Sequence, residues 1–227
     1  MKIHIFYRHY NVEKTDGRGR PKWFDYEKCF SNLLSTLTSD TELHIMFDGD
    51  SSTNFISNYK NHYTLYEFKA GSDQESFWET LRYIKEQNIK DDDLIYILEN
   101  DYLHINDWVS KVKEIFSTYS NLNYVSLYDH NDKYFLPMYE NLTSKIFTSL
   151  THHWRNTPST CGSYITNKKI FDEDFNVHTT IAGDHNKFLQ LNQEKGRFVI
   201  TPIPGLSTHC MEGLLSPTID WENINNG

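Results

Sequence analysis

The sequence predicts an α/β domain built on a mixed, mostly parallel central sheet with helices on both faces. Three observations predict it. Strand-like and helix-like patterns alternate over residues 1–128, the strand-like runs are short and apolar, and two of them stop on acids, Asp48-Gly49-Asp50 and Glu99-Asn100-Asp101. Alternation of this kind implies parallel strands joined by crossover helices. In open α/β sheets, ligands sit at the C-terminal rim of the strands.

Residues 2–7 alternate and then run apolar, giving the first strand. The segment Asn11 to Lys22 holds Asp16-Gly17-Arg18-Gly19-Arg20-Pro21 and reads as a flexible basic loop. Tyr26, Phe30, Leu33, Leu34 and Leu37 recur at helical spacing. A second strand, Glu42 to Phe47, ends on Asp48-Gly49-Asp50-Ser51-Ser52, and a third spans Tyr63 to Phe68. Ser72-Asp73-Gln74-Glu75 has the form of a capping box, and Phe77, Trp78, Leu81 and Ile84 are the stripe of the helix it opens. The fourth strand runs through Leu94-Ile95-Tyr96-Ile97-Leu98 onto Glu99-Asn100-Asp101. Trp108, Val112, Ile115, Phe116 and Tyr119 mark a further helix, and Tyr124 to Leu127 a further strand. Beyond residue 128 the pattern loosens to a strand near Ser163 to Thr166, a helix from about Asp184 to Glu194, a strand from Arg197 to Ile203 and an irregular tail, Pro204 to Gly227. No repeat, linker or low-complexity stretch divides the chain, so residues 1–227 read as one domain.

The formal net charge of -9 argues against general nucleic-acid binding, which needs a basic footprint. An anionic ligand would need compensation from a cation, helix N-termini or a few Arg and Lys. Aromatic residues make up 15% of the chain, enough to pack a core and line a cleft. Cys29, Cys161 and Cys210 form no Cys-x-x-Cys pair, which argues against a disulfide framework or a cysteine zinc cluster and fits a reducing, cytoplasmic setting. No run approaches the length of a transmembrane segment.

Several constellations can carry chemistry. Glu99 and Asp101 lie one residue apart where a strand ends, and hard cations take carboxylate oxygens; a solvated turn uses the same residues. Asp48, at the next strand end, suits ribose hydroxyls or a base N–H, and equally suits a turn. Asp73 and Ser76 open a helix whose capping already employs Ser72 and Glu75. Asp184, in Ala182-Gly183-Asp184-His185, is either a helix cap or a general base. His209 is a tail histidine able to complete a cation's shell. His152-His153-Trp154-Arg155 reads as a loop, with Trp154 as a sugar-stacking platform or a core residue; adjacent histidines do not face one direction.

Taken in order, these segments resemble the nucleotide-sugar-dependent glycosyltransferases of the GT-A fold, especially family-2-like members. Tyr7-Arg8-His9-Tyr10-Asn11 is similar to the family's aromatic-Asn pair, although the usual Pro before it is missing. Asp48-Gly49-Asp50-Ser51 resembles its acidic turn at uridine, and Glu99-Asn100-Asp101 its Asp-x-Asp motif with Glu first. Thr160-Cys161-Gly162-Ser163 resembles the small-residue stretch beside the donor sugar. Gly183-Asp184 falls where inverting members carry Glu-Asp, and His209 where many members have a metal-binding His.

The resemblance implies a GT-A (Rossmann-like) fold, with about 1–128 as a nucleotide-binding half and about 129–227 as an acceptor half and tail. It implies transfer of a sugar from a nucleoside diphosphate sugar, with UDP as the carrier, to a carbohydrate or other hydroxyl acceptor. Asp101 and His209 would bind Mn²⁺ or Mg²⁺, while Arg8, Asp48, Asp73, Ser76 and Glu99 would meet the nucleotide. Asp184 would take the acceptor's proton if transfer inverts. Two other readings stay open: a nucleotidyltransferase acting on a sugar phosphate, to whose Gly-rich basic loop Asp16-Gly17-Arg18-Gly19-Arg20 is faintly similar, and a non-catalytic carbohydrate-binding protein.

Overall fold

The structure, a computed structural model, describes residues 1–11 and 17–226, so Asp16 of the basic loop lies outside the described residues. Four parallel strands form one side of the sheet: β1 (Ile3–Tyr10), β2 (Thr41–Asp48), β3 (Thr64–Phe68) and β4 (Leu94–Glu99), in the order β3-β2-β1-β4. The remaining strands are β5 (Tyr102–His104), β6 (Tyr124–Val125), β7 (Ile146–Thr148), β8 (His153–Thr157), β9 (Tyr164–Asn167), β10 (Val199–Ile203) and β11 (Ser207–His209). The sheet continues past β4 as β9-β6-β10-β8-β7, while β11 and β5 form a separate two-stranded ribbon. β9 runs antiparallel to both β4 and β6, and β8 antiparallel to both β10 and β7. The sheet is therefore mixed, and its parallel character is concentrated in the first half.

Strand parity divides the core in two. Ile3, Ile5 and Tyr7 of β1 and Leu94, Tyr96 and Leu98 of β4 face one layer, with α1 (Tyr26–Thr36) and α3 (Trp108–Thr118) packed on it through Phe30, Leu33, Val112 and Ile115. Phe6, Ile95 and Ile97 face the other, covered by α2 (Asp73–Glu86), α4 (Lys168–Thr180) and α5 (Asp184–Lys195). Asp25 caps α1 by accepting from Lys28 N at 3.0 Å, and Ser72 caps α2 by accepting from Glu75 N at 3.2 Å. Among the described residues no helix is long and apolar enough to cross a membrane.

Three readings of the second half need correction. α4 was not anticipated: its buried face mixes Ile170, Phe171 and Val177 with Asp174 and His178, so its apolar stripe is broken by polar residues. Asp174 is fully buried and accepts from Tyr124 Oη at 2.8 Å, Arg197 Nε at 2.9 Å and Lys195 Nζ at 2.9 Å. The tail is not irregular throughout, since it contributes β11 and a short helix, α6 (Trp221–Asn226). His153-Trp154-Arg155 belongs to β8 and not to a loop, and Trp154 is fully buried, so it offers no stacking platform. Its neighbour Arg155 is buried as well, donating to Asp129 Oδ1 at 2.7 Å.

Candidate active site

The chain leaves β1 toward β2 and β3 on one side and returns to β4 on the other, so the C-terminal ends of β1 and β4 flank the point where strand order reverses. Open α/β sheets bind ligands in that crevice. Arg8 of β1 and Glu99 of β4 are register partners there. A cleft of about 520 Å³ opens over them, lined by Tyr10, Asn11, Asp48, Asp73, Ser76 and Asp101 among others.

Arg8 is buried and held on several sides. Nη2 donates to Asp73 Oδ1 at 2.7 Å and to the Asp73 carbonyl at 3.0 Å, Nη1 lies 3.4 Å from Glu99 Oε1, and the guanidinium sits 5.3 Å from the Phe77 ring centre. Asp73 is otherwise exposed at the first turn of α2, and Ser76 one turn on is buried in the cleft wall. Asp48 Oδ1 accepts from Ala70 N at 3.0 Å, which ties the chain leaving β3 to the cleft edge. Asn11 donates to the Asp50 carbonyl at 3.0 Å and so ties the end of β1 to the turn after β2. The five residues proposed from sequence for the nucleotide thus share one cleft.

The acids after β4 owe their geometry to the ribbon. β11 pairs antiparallel with β5 so that His209 faces Tyr102, and Cys210 N donates to the Asp101 carbonyl at 2.9 Å. This brings His209 Nε2 to 3.0 Å from Asp101 Oδ2, across 108 residues of sequence. The His209 ring stacks on Tyr102 with centres 5.2 Å apart. Ligand atoms of Glu99, Asp101 and His209 all lie within 4.8 Å of one another. Asp101 is 1% exposed, and its Oδ1 has no hydrogen-bond partner among the described residues. A buried carboxylate oxygen in that state is costly unless a ligand reaches it. One imidazole and two carboxylates suit Mn²⁺, whereas Mg²⁺, which prefers oxygen ligands, would draw on the two carboxylates.

Charges already present hold this arrangement together. Arg20 Nη2 donates to Asp101 Oδ2 at 2.8 Å, its Nη1 to the Cys210 carbonyl at 2.9 Å, and Arg18 Nη1 lies 3.6 Å from the same Asp101 oxygen. Burial by itself would raise the Asp101 carboxyl; His209 and Arg20 overcome it and hold the group below the usual carboxylate range. Burial opposes protonation of His209, but hydrogen bonding to Asp101 wins and pushes the imidazole up to about 11. Burial and the neighbouring Asp101 charge push Glu99 up to about 7, against the pull of Arg8.

Asp184 lies on the far side of Gly162 from this cluster. Gly183, not Asp184, occupies the cap position of α5, and no side chain caps that end. The Asp184 carboxylate instead accepts from Gly162 N, lies 3.4 Å from Thr160 Oγ1 and pairs with Lys187 Nζ at 3.2 Å. Lys187 is buried and sits 4.2 Å from the same Phe77 ring that Arg8 covers. Gly162 has φ of +67°, and a Cβ there would meet the Glu99 carboxylate at 2.2 Å. Gly162→Ala is therefore expected to displace Glu99 and weaken a cation-dependent thermal shift. Gly183→Ala is the control for positive φ, since its φ is +78° and a Cβ there would meet nothing within 4 Å among the described residues. Each should lose about 1–3 kcal/mol of stability from backbone strain alone; loss of the cation response in both would show that strain, not the clash, governs it.

Sequence reasoning missed Arg20, Lys187 and the steric role of Gly162. The basic loop was visible, but its landing point on Asp101 depends on tertiary placement.

No family model matches this sequence. No curated protein matches it. Solved structures do match in shape. CMP:2-keto-3-deoxy-manno-octonic acid synthetase, complexed with CTP, aligns with a TM-score of 0.53 at 11% identity over 90% of this chain and 92% of that one. A nucleotide-diphospho-sugar transferase from Desulfovibrio desulfuricans G20 aligns at 0.51 and 11% identity over 88% and 80%. S. aureus TarS 1-349 aligns at 0.41 and 12% identity over 55% of this chain, which spans 34% of that structure's length. The fold is the α/β, mixed-sheet architecture of the GT-A and nucleotidyltransferase structures.

Proposed function

We propose that the protein transfers a sugar from a nucleoside diphosphate sugar to a hydroxyl acceptor, assisted by a divalent cation. The observation that carries this reading is the meeting of Glu99, Asp101 and His209 within 4.8 Å at the switch-point cleft, with Asp101 Oδ1 buried and unpartnered. Asp101 and His209 would hold Mn²⁺ or Mg²⁺, with Glu99 beside them. When bound, such an ion supplies Lewis-acid stabilisation of the oxygen that leaves with the diphosphate, worth several kcal/mol in typical sites. Arg18 and Arg20, already directed at Asp101, add positive charge where the diphosphate would lie. Arg8, clamped by Asp73 and Glu99, stiffens the wall against which the nucleoside packs. Asp48, Asp73 and Ser76 offer polar contacts to ribose and base from that wall. Asp184 is assigned to the acceptor hydroxyl: a carboxylate has about four lone-pair sites, so its contacts with Gly162 and Lys187 leave room for a proton. The strand-ordered first half of the chain would take the nucleotide and the second half the acceptor.

A second reading, nucleotidyl transfer to a sugar phosphate, is favoured by one observation. The loop after β1 delivers Arg18 to the cleft and Arg20 to the acid at its base, a placement that also suits a triphosphate. The two readings separate in a thermal-shift screen of the whole protein with UDP, GDP, CTP and ATP, each with and without Mn²⁺. Glycosyl transfer predicts a Mn²⁺-dependent rise with a nucleoside diphosphate, of about 2.7 kcal/mol at 100 times the dissociation constant. A response confined to CTP or ATP would transfer the assignment to nucleotidyl transfer, and no response to any nucleotide would defeat both.

A further inference from the structure

At the opposite end of β1 and β2 from the cleft, three side chains meet without satisfying one another. His4 is the register partner of Glu42, and His44 lies two residues farther along β2, so strand parity puts all three on the α2 face. His4 Nδ1 lies 3.7 Å from one Glu42 carboxylate oxygen and His44 Nε2 3.4 Å from the other, and one ligand atom from each residue falls within a 4.8 Å group. His4 is 8% and His44 5% exposed, yet none of their four ring nitrogens has a hydrogen-bond partner among the described residues. Leaving a buried polar group unpaired costs about 1–3 kcal/mol. The rings are not adrift, since His44 stacks on Phe6 with centres 4.7 Å apart.

We propose that His4, Glu42 and His44 form a zinc site that joins β1 to β2. A tetrahedral ion about 2.0–2.1 Å from its nitrogen and oxygen donors sets those donors roughly 3.3 Å apart. The separations of 3.4 and 3.7 Å, made to the two oxygens of one carboxylate, come near that value, and the three ligand atoms fall within 4.8 Å overall. Asp93 Oδ2 lies 3.8 Å from His4 Nε2, the ring nitrogen that faces away from Glu42, where a carboxylate fixes the tautomer and orientation of a metal-bound imidazole. Glu42 is 41% exposed, which provides both an entry path and space for water as fourth ligand. Two imidazoles and one carboxylate favour zinc over Mg²⁺ or Ca²⁺, which prefer all-oxygen shells. Lys2 Nζ, 2.8 Å from Glu42, competes with the ion for the same carboxylate. The site is separate from Glu99, Asp101 and His209, so it stands or falls independently of the proposed transferase activity.

The test is calorimetric titration of Zn²⁺ into the tag-free, chelator-treated whole protein, with Co²⁺ absorption reporting tetrahedral nitrogen and oxygen ligation. Asp101→Asn is expected to retain this Zn²⁺ site. Glu42→Gln, on the accessible side of the cluster, and His44→Gln should each weaken it at least tenfold, with circular dichroism confirming that all three variants fold. Lys2→Ala should tighten it, because the competing ammonium is gone. Equal Zn²⁺ affinity in wild type and Glu42→Gln, or loss of all Zn²⁺ binding in Asp101→Asn, overturns the assignment.

Discussion

Asp101→Asn is expected to remove cation-dependent nucleotide binding and to lower turnover by about 10³-fold, the equivalent of roughly 4 kcal/mol of transition-state stabilisation. Asn keeps the volume and one acceptor oxygen but loses the charge that gathers His209, Arg20 and Arg18. Those cations then face one another without a counter-charge in a largely buried place, so stability falls as well; breaking one partner of a buried pair costs about 3–5 kcal/mol. Arg18 is half exposed and His209 can release its proton, which places the cost at the low end. Circular dichroism and a denaturant curve separate the two effects. Full cation response and turnover in a folded Asp101→Asn variant would end the case for a cation at this position.

Acidification of the cation-free protein from pH 7 to pH 5 is expected to lower its stability by several kcal/mol. His104 and His178 are fully buried, and burial pushes each down to about 3. His104 shares a 2.9 Å hydrogen bond with Tyr96 and meets no charged group among the described residues. His178 lies between the hydroxyls of Tyr124 and Tyr164; Lys187 and Lys195 disfavour its protonation, while Asp174 and Asp184 favour it. Burial also pushes His9 down to about 4, against its contact with Asn54, pushes His44 down to about 4 and holds His130 well below its ordinary value. For each of these the folded value lies below the unfolded one. The stability they protect is therefore complete above pH 6.5 and is lost as pH falls toward the folded value, by about 2 kcal/mol apiece at pH 5. Glu99, raised to about 7, has the opposite sign: it gains stability as pH falls from 7 toward its unfolded value, about 2 kcal/mol by pH 5. His209, with its raised folded value, loses nothing on acidification in this window. Each kcal/mol lost lowers the melting temperature by about 2–4 °C in a chain of this length. Melts by circular dichroism at pH 7 and pH 5 measure it; a flat or rising midpoint would mean that these imidazoles are not held neutral.

The parallel half of the sheet was legible because its strands are apolar and regularly spaced by helical segments. The cleft was legible because Asp48 and Glu99 stand where such strands end. Asp101 and His209 could be named from order along the chain, but the ribbon that joins them could not, since a three-residue strand such as β11 exists only through its partner β5. Arg20 was readable as part of a basic loop and not as the counter-charge of a buried acid. α4 was hidden because Asp174 and His178 sit on its buried face, where polarity usually signals solvent. Trp154 alternates with His153 and Arg155, a strand pattern obscured by the burial of Arg155 against Asp129. His4, Glu42 and His44 look unrelated in sequence because their meeting depends on which strands become neighbours.

The ribbon that seats His209 beside Asp101 closes a loop of 108 residues. Drawing two points that far apart together costs a flexible chain roughly 4 kcal/mol in entropy. Any ligand that grips both residues at once therefore acts as a clasp across half the polypeptide, and its occupancy should slow amide exchange in β5 and β11, well beyond the groups it touches.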